Sequence, residues 1–164
     1  MSNSEKNLLE AFAGESQANR KYLAFAKKAD KEGYTQVAKL FRAAAHAETV
    51  HAHAHLRALQ AVGDTAANLK EAIAGETHEF KNMYPAMIET AKKEGHKAAL
   101  MSFNFANDVE KIHAALYQKA LDNMDNLPAT KISVCEVCGY THEGEMEGKC
   151  PVCGANAKAF TVID

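Results

Sequence analysis

The sequence predicts an all-α four-helix bundle followed by a small β domain built on four metal-binding cysteines, and three observations carry that prediction. Apolar residues recur in steps of three and four along four long stretches, the spacing of helices with one inward face. A Glu-x-x-His pair occurs twice, at Glu48/His51 and Glu110/His113, each with an Ala-Gly-Glu upstream, at Ala13-Gly14-Glu15 and Ala74-Gly75-Glu76. All four cysteines fall between Cys135 and Cys153, in two C-x-x-C pairs.

Taken in order, Ser4 is an expected N-cap for a first helix whose stripe reads Leu8, Phe12, Glu15, Tyr22, Phe25, Ala29 and stops at Gly33. Thr35 is the expected cap of a second, with Val37, Phe41, Ala44, Glu48, His51, His55 and Leu59 inward, ending at Gly63. A third runs from about Asn68 to Lys93 with Leu69, Ile73, Glu76, Glu79, Met83 and Met87 inward. It contains Pro85, which removes a backbone donor and predicts a kink. The fourth stripe is Ala99, Phe103, Ala106, Glu110, His113, Tyr117, Ala120. Glu15 to Glu76 is 61 positions, whereas Glu48 to Glu110 and His51 to His113 are each 62, so one helical hairpin was used twice with a single-residue offset. From Asp122 the chain becomes polar and ends that stretch at Pro128; short strands are expected at Ile132-Ser133-Val134 and Ala159-Phe160-Thr161-Val162. The domain expectation is therefore a bundle over 1–125, a linker over 126–131 and a cysteine domain over 132–164.

Composition narrows the function classes. With 164 residues, 47% of them hydrophobic, the chain can bury one sizeable core and carry a satellite domain. A net charge of -2 without a long basic run gives no electrostatic footprint for nucleic acid or for an anionic membrane. The N-terminal residues lack a secretion-signal layout and no apolar stretch approaches the ~20 residues of a membrane span, so a cytoplasmic protein is expected. In a reducing compartment, paired cysteines argue for metal rather than disulfides.

The chemistry lies in where the charges fall. Glu15, Glu48, Glu76, Glu79 and Glu110 share stripes with Phe12, Ala44, Met83 and Phe103, so helices that pack turn these carboxylates inward. An unpartnered ionised carboxylate in a core is prohibitively costly, and no Lys or Arg lies on those stripes. Two divalent cations would leave the five glutamates a residual charge of -1. Oxygen-rich ligation with two imidazoles suits iron or manganese better than zinc, and iron gives such a site redox chemistry. The copies differ at one position, since Glu79 has Ala18 as its counterpart, so the two ions are expected to be inequivalent. In the cysteine region, Cys135-x-x-Cys138-Gly139 and Cys150-Pro151-x-Cys153-Gly154 form two knuckles with 11 residues between Cys138 and Cys150. Each glycine permits the tight turn that aims amides at sulfur. This spacing fits structural zinc and a one-electron iron carrier equally.

On Ala13-Gly14-Glu15-Ser16-Gln17, Glu48-x-x-His51, Gly75-Glu76-x-x-Glu79, Tyr84-Pro85, Glu110-x-x-His113 and Cys138-Gly139-Tyr140, the whole chain resembles the rubrerythrins, a ferritin-like di-iron bundle joined to a rubredoxin-like domain. Di-iron carboxylate bundles of this kind take their ligands from inward-projecting glutamates and Glu-x-x-His pairs on facing helices. The resemblance implies a non-haem di-iron peroxidase that reduces hydrogen peroxide to water in oxidative-stress defence, with two irons in the bundle and one iron, or zinc, on Cys135, Cys138, Cys150 and Cys153. It implies that Glu48 and Glu110 bridge, that Glu15 and Glu76 are terminal, that His113 holds the second iron, and that His51 and Glu79 exchange on the first. Tyr22 and Tyr84 match tyrosines that hydrogen-bond ligand carboxylates. Implied partners are reduced rubredoxin or an NAD(P)H-dependent reductase as donor, and a second copy in a homodimer or larger assembly. The competing expectations are an iron-oxidising ferritin relative and a zinc-ribbon interaction protein. Glu136 stands where rubredoxins carry proline, which removes no ligand.

Overall fold

A computed structural model describes residues 1–163 and divides them into two compact units, 1–63 and 64 onward. The first unit is a hairpin of α1 (Asn3–Lys31) and α2 (Thr35–Leu59). Helix α1 begins earlier than a cap at Ser4 would place it. Ser2 is the N-cap, its hydroxyl accepting from the Glu5 amide while the Glu5 carboxylate accepts from the Ser2 amide, a reciprocal pair that satisfies two orphan donors. Thr35 is likewise not a cap but the first residue of α2, after Tyr34, which makes no capping bond. Helix α2 ends at Leu59, with Gln60 in the left-handed region at φ 52°, rather than running to Gly63. The hairpin closes on small residues: Ala26, Ala29 and Ala38 are buried, with Phe41 packed against them. Two helices bury only the seam between them. The outer part of the expected stripe is correspondingly open, Phe25 and Val37 at 46% and 45% exposure.

The second unit holds the remaining helices and the cysteine region. Asp64 caps α3 (Thr65–His78) by accepting from the Ala67 amide. A π-helical turn, Glu79–Met83, joins it to α4 (Tyr84–Glu94), and α5 (Lys97–Asp122) returns alongside. Ile88, Ala91, Val109 and Ala114 are buried here. The kink expected of Pro85 thus takes the form of a widened turn immediately before it. In that turn the Tyr84 amide donates to the Glu79 carbonyl. The next donor in register would come from Pro85, which has none, leaving the Phe80 carbonyl without a helical partner. With its amide nitrogen turned toward that carbonyl, Asn107 of α5 donates to it at 3.0 Å.

Beyond a turn at Asn123–Asn126, β1 (Ile132–Cys135), β2 (Thr141–Glu143) and β3 (Phe160–Ile163) form an antiparallel sheet in the order β2-β1-β3. Strand β2 is not among the elements expected from the sequence, and a 3-10 turn, Ala157–Ala159, takes the start of the expected last strand. Ser133, on β1, is buried and donates to the Gly144 carbonyl at 2.6 Å. No helix is long and apolar enough to cross a membrane among the described residues.

Candidate metal centres

Each unit gathers one copy of the carboxylate and imidazole motif. In the first, donor atoms of Glu15, Glu48 and His51 lie within 4.8 Å of one another. The three-residue spacing of Glu48 and His51 puts both on one helical face, so His51 Nδ1 is 2.9 Å from Glu48 and 3.8 Å from Glu15 across the hairpin. In the second, Glu76, Glu110 and His113 form the matching cluster, with His113 Nδ1 2.8 Å from Glu110 and 3.7 Å from Glu76. Asn19 braces the first hairpin beside its cluster, donating to the Ala45 carbonyl and the Thr49 hydroxyl at 2.7 and 2.9 Å.

Electrostatics in the second cluster are those of acids short of counter-charge. Burial, then the charge of Glu110, hold Glu76 above the ordinary carboxylate range, against a lowering by His113; a Glu76–Glu110 hydrogen bond adds to the rise. Two carboxylates sharing one proton is what such a pair does without a cation between them. Glu79 stands outside the three-residue cluster, in the π turn, and its charge is felt at Tyr84. Burial first, then Glu79, Glu110 and Glu76, push the Tyr84 phenol above its usual value, so it keeps its proton near neutrality. Tyr84 packs on Phe103, and in the first unit Tyr22 packs between Phe25 and Phe41 with ring centroids 6.2 Å away in each case. Neither phenol bonds to a carboxylate within its own unit among the described residues.

The four cysteines converge as the two knuckles require. Their sulfurs lie within 4.8 Å of one another, with Cys135 and Cys153 at 3.7 Å and Cys138 and Cys150 at 3.6 Å. Those separations are too long for disulfides and match the ~3.8 Å edge of a sulfur tetrahedron about an ion at ~2.3 Å. Gly139 and Gly154 adopt φ of 84° and 76°, and their amides close the knuckles onto the Cys135 and Cys150 carbonyls at 2.8 and 2.9 Å. Burial raises the Cys150 thiol, but donation from the Cys153 and Val152 amides outweighs it and brings the group down to about 7. Burial dominates at Cys138 and Cys153, both of which are raised. Four thiols gathered about one point, one of them already near its thiolate, fit a soft metal ion with every position filled by sulfur.

The knuckle of Cys138 and Gly139 sits against α5. The space a side chain at Gly139 would occupy is 3.8 Å from Val109. Thr141 Oγ1 lies 2.9 Å from His113 Nε2, and Lys119 pairs with Glu143. A cavity lined by Leu116, Tyr117, Ala120, Leu127 and Ile132 borders the same His113, Thr141 and Glu143 side chains. Neither Thr141 nor Asn107 was singled out by the sequence. Their partners are 28 and 27 positions away, with no local spacing to announce them.

These features define a class, a helical protein with duplicated carboxylate and imidazole half-sites and a tetrathiolate appendage. The model of the rubrerythrin family matches residues 6–121, and that of the rubrerythrin rubredoxin-like domain matches 134–161. The chain belongs to the rubrerythrin family. It is 36% identical to rubrerythrin-2 of Clostridium acetobutylicum, over 93% of this chain and 92% of that one. It is also 36% identical to nigerythrin of Nitratidesulfovibrio vulgaris, over 95% and 84%. The structure of partially reduced nigerythrin superposes with a TM-score of 0.61 at 34% identity, covering 99% of this chain and 88% of the other. The family's cofactors are a di-iron carboxylate site and a metal on four cysteines, and both donor sets are present here. Membership makes the chain a rubredoxin-fused oxidoreductase of oxidative-stress defence.

Proposed function

We propose that this protein is a peroxidase that reduces hydrogen peroxide to two waters with two electrons and two protons. The observation that supports this most directly is the placing of the four-cysteine knuckle beside His113, in one of the two carboxylate and imidazole clusters. Glu48 and Glu110 would bridge two irons, with Glu15 and Glu76 terminal, His113 on the second iron and His51 and Glu79 alternating on the first. Ferrous ions bound there would supply the two electrons that O–O cleavage requires, and an iron on Cys135, Cys138, Cys150 and Cys153, with every position filled by sulfur, would supply one-electron transfer from a reduced donor.

The chain's own groups manage protons and access. Tyr84 Oη, held protonated by burial and by the charges of Glu79, Glu110 and Glu76, could donate to a carboxylate or to a departing oxygen. Glu76 retains a proton beyond the usual carboxylate range while Glu110 faces it, so the pair can release one as a cation enters. The turn that carries Glu79 has a looser bonding pattern than a regular helix, which suits a carboxylate required to change partner.

Residues 1–125 would be the functional bundle and 132–164 the electron-delivery domain, with reduced rubredoxin or an NAD(P)H-dependent reductase as donor. A cytoplasmic homodimer or larger assembly fits the half-exposed Phe25 and Val37, which leave apolar surface for a further layer. Metal analysis of anaerobically prepared protein, joined to peroxide consumption with a reduced rubredoxin, tests the proposal. Three irons per chain, a red ferric tetrathiolate and donor-dependent turnover are expected. A colourless zinc protein, or iron uptake into a mineral without peroxide turnover, would overturn it.

A further inference from the structure

We propose that Thr141 is a positioning residue for His113. Its hydroxyl selects which imidazole nitrogen faces Glu76 and Glu110, and so couples the second half-site to the seating of the four-cysteine region. One assignment of hydrogens satisfies both Thr141 contacts at once. A threonine hydroxyl has one hydrogen, and Thr141 directs it to the Gly139 carbonyl at 3.1 Å. Toward His113 Nε2, at 2.9 Å, the oxygen is therefore an acceptor, and Nε2 carries the ring hydrogen. The neutral ring then has its lone pair on Nδ1, the atom 2.8 Å from Glu110 and 3.7 Å from Glu76. Nδ1 becomes a ligand pointed at the carboxylates, held from behind by a group that belongs to the cysteine knuckle.

The rest of the docking supports the same reading. Gly139 supplies the accepting carbonyl and directly follows Cys138, so the bonds run from a metal-binding cysteine through Gly139 and Thr141 to the imidazole. Val109 next to Gly139 and the Lys119–Glu143 pair fix the register of the knuckle on α5 on either side of this bond. The first hairpin has no equivalent. His51 has the same Nδ1 geometry, but nothing in its unit among the described residues holds Nε2, and its side chain is 55% exposed against 26% for His113. A histidine anchored at both nitrogens stays, and one anchored at a single nitrogen can leave.

The inference rests on the ligand assignment proposed above, and its test reads nitrogen bonding rather than turnover. Full-length protein labelled with 15N-histidine and loaded with zinc, a diamagnetic stand-in, gives the state of each imidazole nitrogen by long-range 1H–15N correlation. In the unsubstituted protein His113 should show a hydrogen on Nε2 and metal on Nδ1. Thr141→Val should shift or exchange-broaden the Nε2–H signal and lower zinc affinity at that half-site ~10–100-fold, the range for lost supporting bonds, with the His51 half-site unchanged. Thr141→Ser, which keeps the hydroxyl, should restore both. Equal spectra and affinities for the valine variant, with the tetrathiolate intact, would overturn the role of Thr141 alone. Metal on Nε2 of His113 in the unsubstituted protein would overturn the tautomer. No metal-bound histidine nitrogen at all would overturn the ligand assignment beneath it.

Discussion

The two carboxylate and imidazole clusters are near copies at the motif and diverge in what surrounds it. In both, a histidine Nδ1 lies within 3 Å of the glutamate one turn before it and just under 4 Å from a glutamate on the facing helix of its hairpin. In the second, a π turn and a bond from the cysteine region are added. Local helix geometry therefore repeats because the Glu-x-x-His spacing repeats, while the surroundings differ through the π turn at Glu79–Met83 and a contact from 28 positions away. On the reading proposed above, one cluster would hold its histidine and the other could release it.

The largest expected effect separates the clusters from the tetrathiolate. Cys138→Ser should abolish donor-driven peroxide reduction while protein reduced chemically beforehand still reacts, as stopped-flow absorption can show. Loss of both activities together would erase the division of labour. Next, Glu110→Ala and Glu48→Ala should each remove the bundle irons and leave the red tetrathiolate, read by metal analysis. A variant that keeps one bundle iron would show that its glutamate does not bridge.

Smaller effects probe the surroundings of the second cluster. Asn107→Leu leaves the Phe80 carbonyl unpaired at the π turn and should cost about 1–3 kcal/mol, read as a lower denaturation midpoint. An unchanged midpoint would mean that the turn stands without it. Gly139→Ala meets only Val109 at 3.8 Å, so its penalty is the left-handed backbone, about 1–2 kcal/mol, seen as earlier thermal loss of the tetrathiolate colour.

The smallest effect is a pH dependence in metal-free protein. Glu76 is raised when folded, so its protonated form contributes stability that is complete below the unfolded carboxylate value and is lost as pH rises through the folded one. Thermal midpoints of Glu76→Gln and the unsubstituted protein should hence diverge with rising pH, the variant becoming relatively more stable. Added metal should reverse that order. The same experiment on Glu15→Gln sharpens the comparison of the two clusters, because burial and a facing carboxylate are the causes found at Glu76.

The sequence by itself determined the helical repeats, the pairing of Glu48 with His51 and of Glu110 with His113, and the convergence of the four cysteines. Each of these is a short-range consequence of 3.6 residues per turn or of a knuckle closed by glycine. It also marked Pro85 as a disturbance, since a missing amide is visible in one letter. It did not show that the disturbance would become a π turn with Asn107 supplying the lost donor. It likewise gave no sign of strand β2, which exists because Ser133 and Val134 pair with His142 and Thr141. Only the tertiary structure decided that Thr141 would meet His113, because a hydrogen bond between residues 28 positions apart depends on where the chain folds back and leaves no periodicity to read.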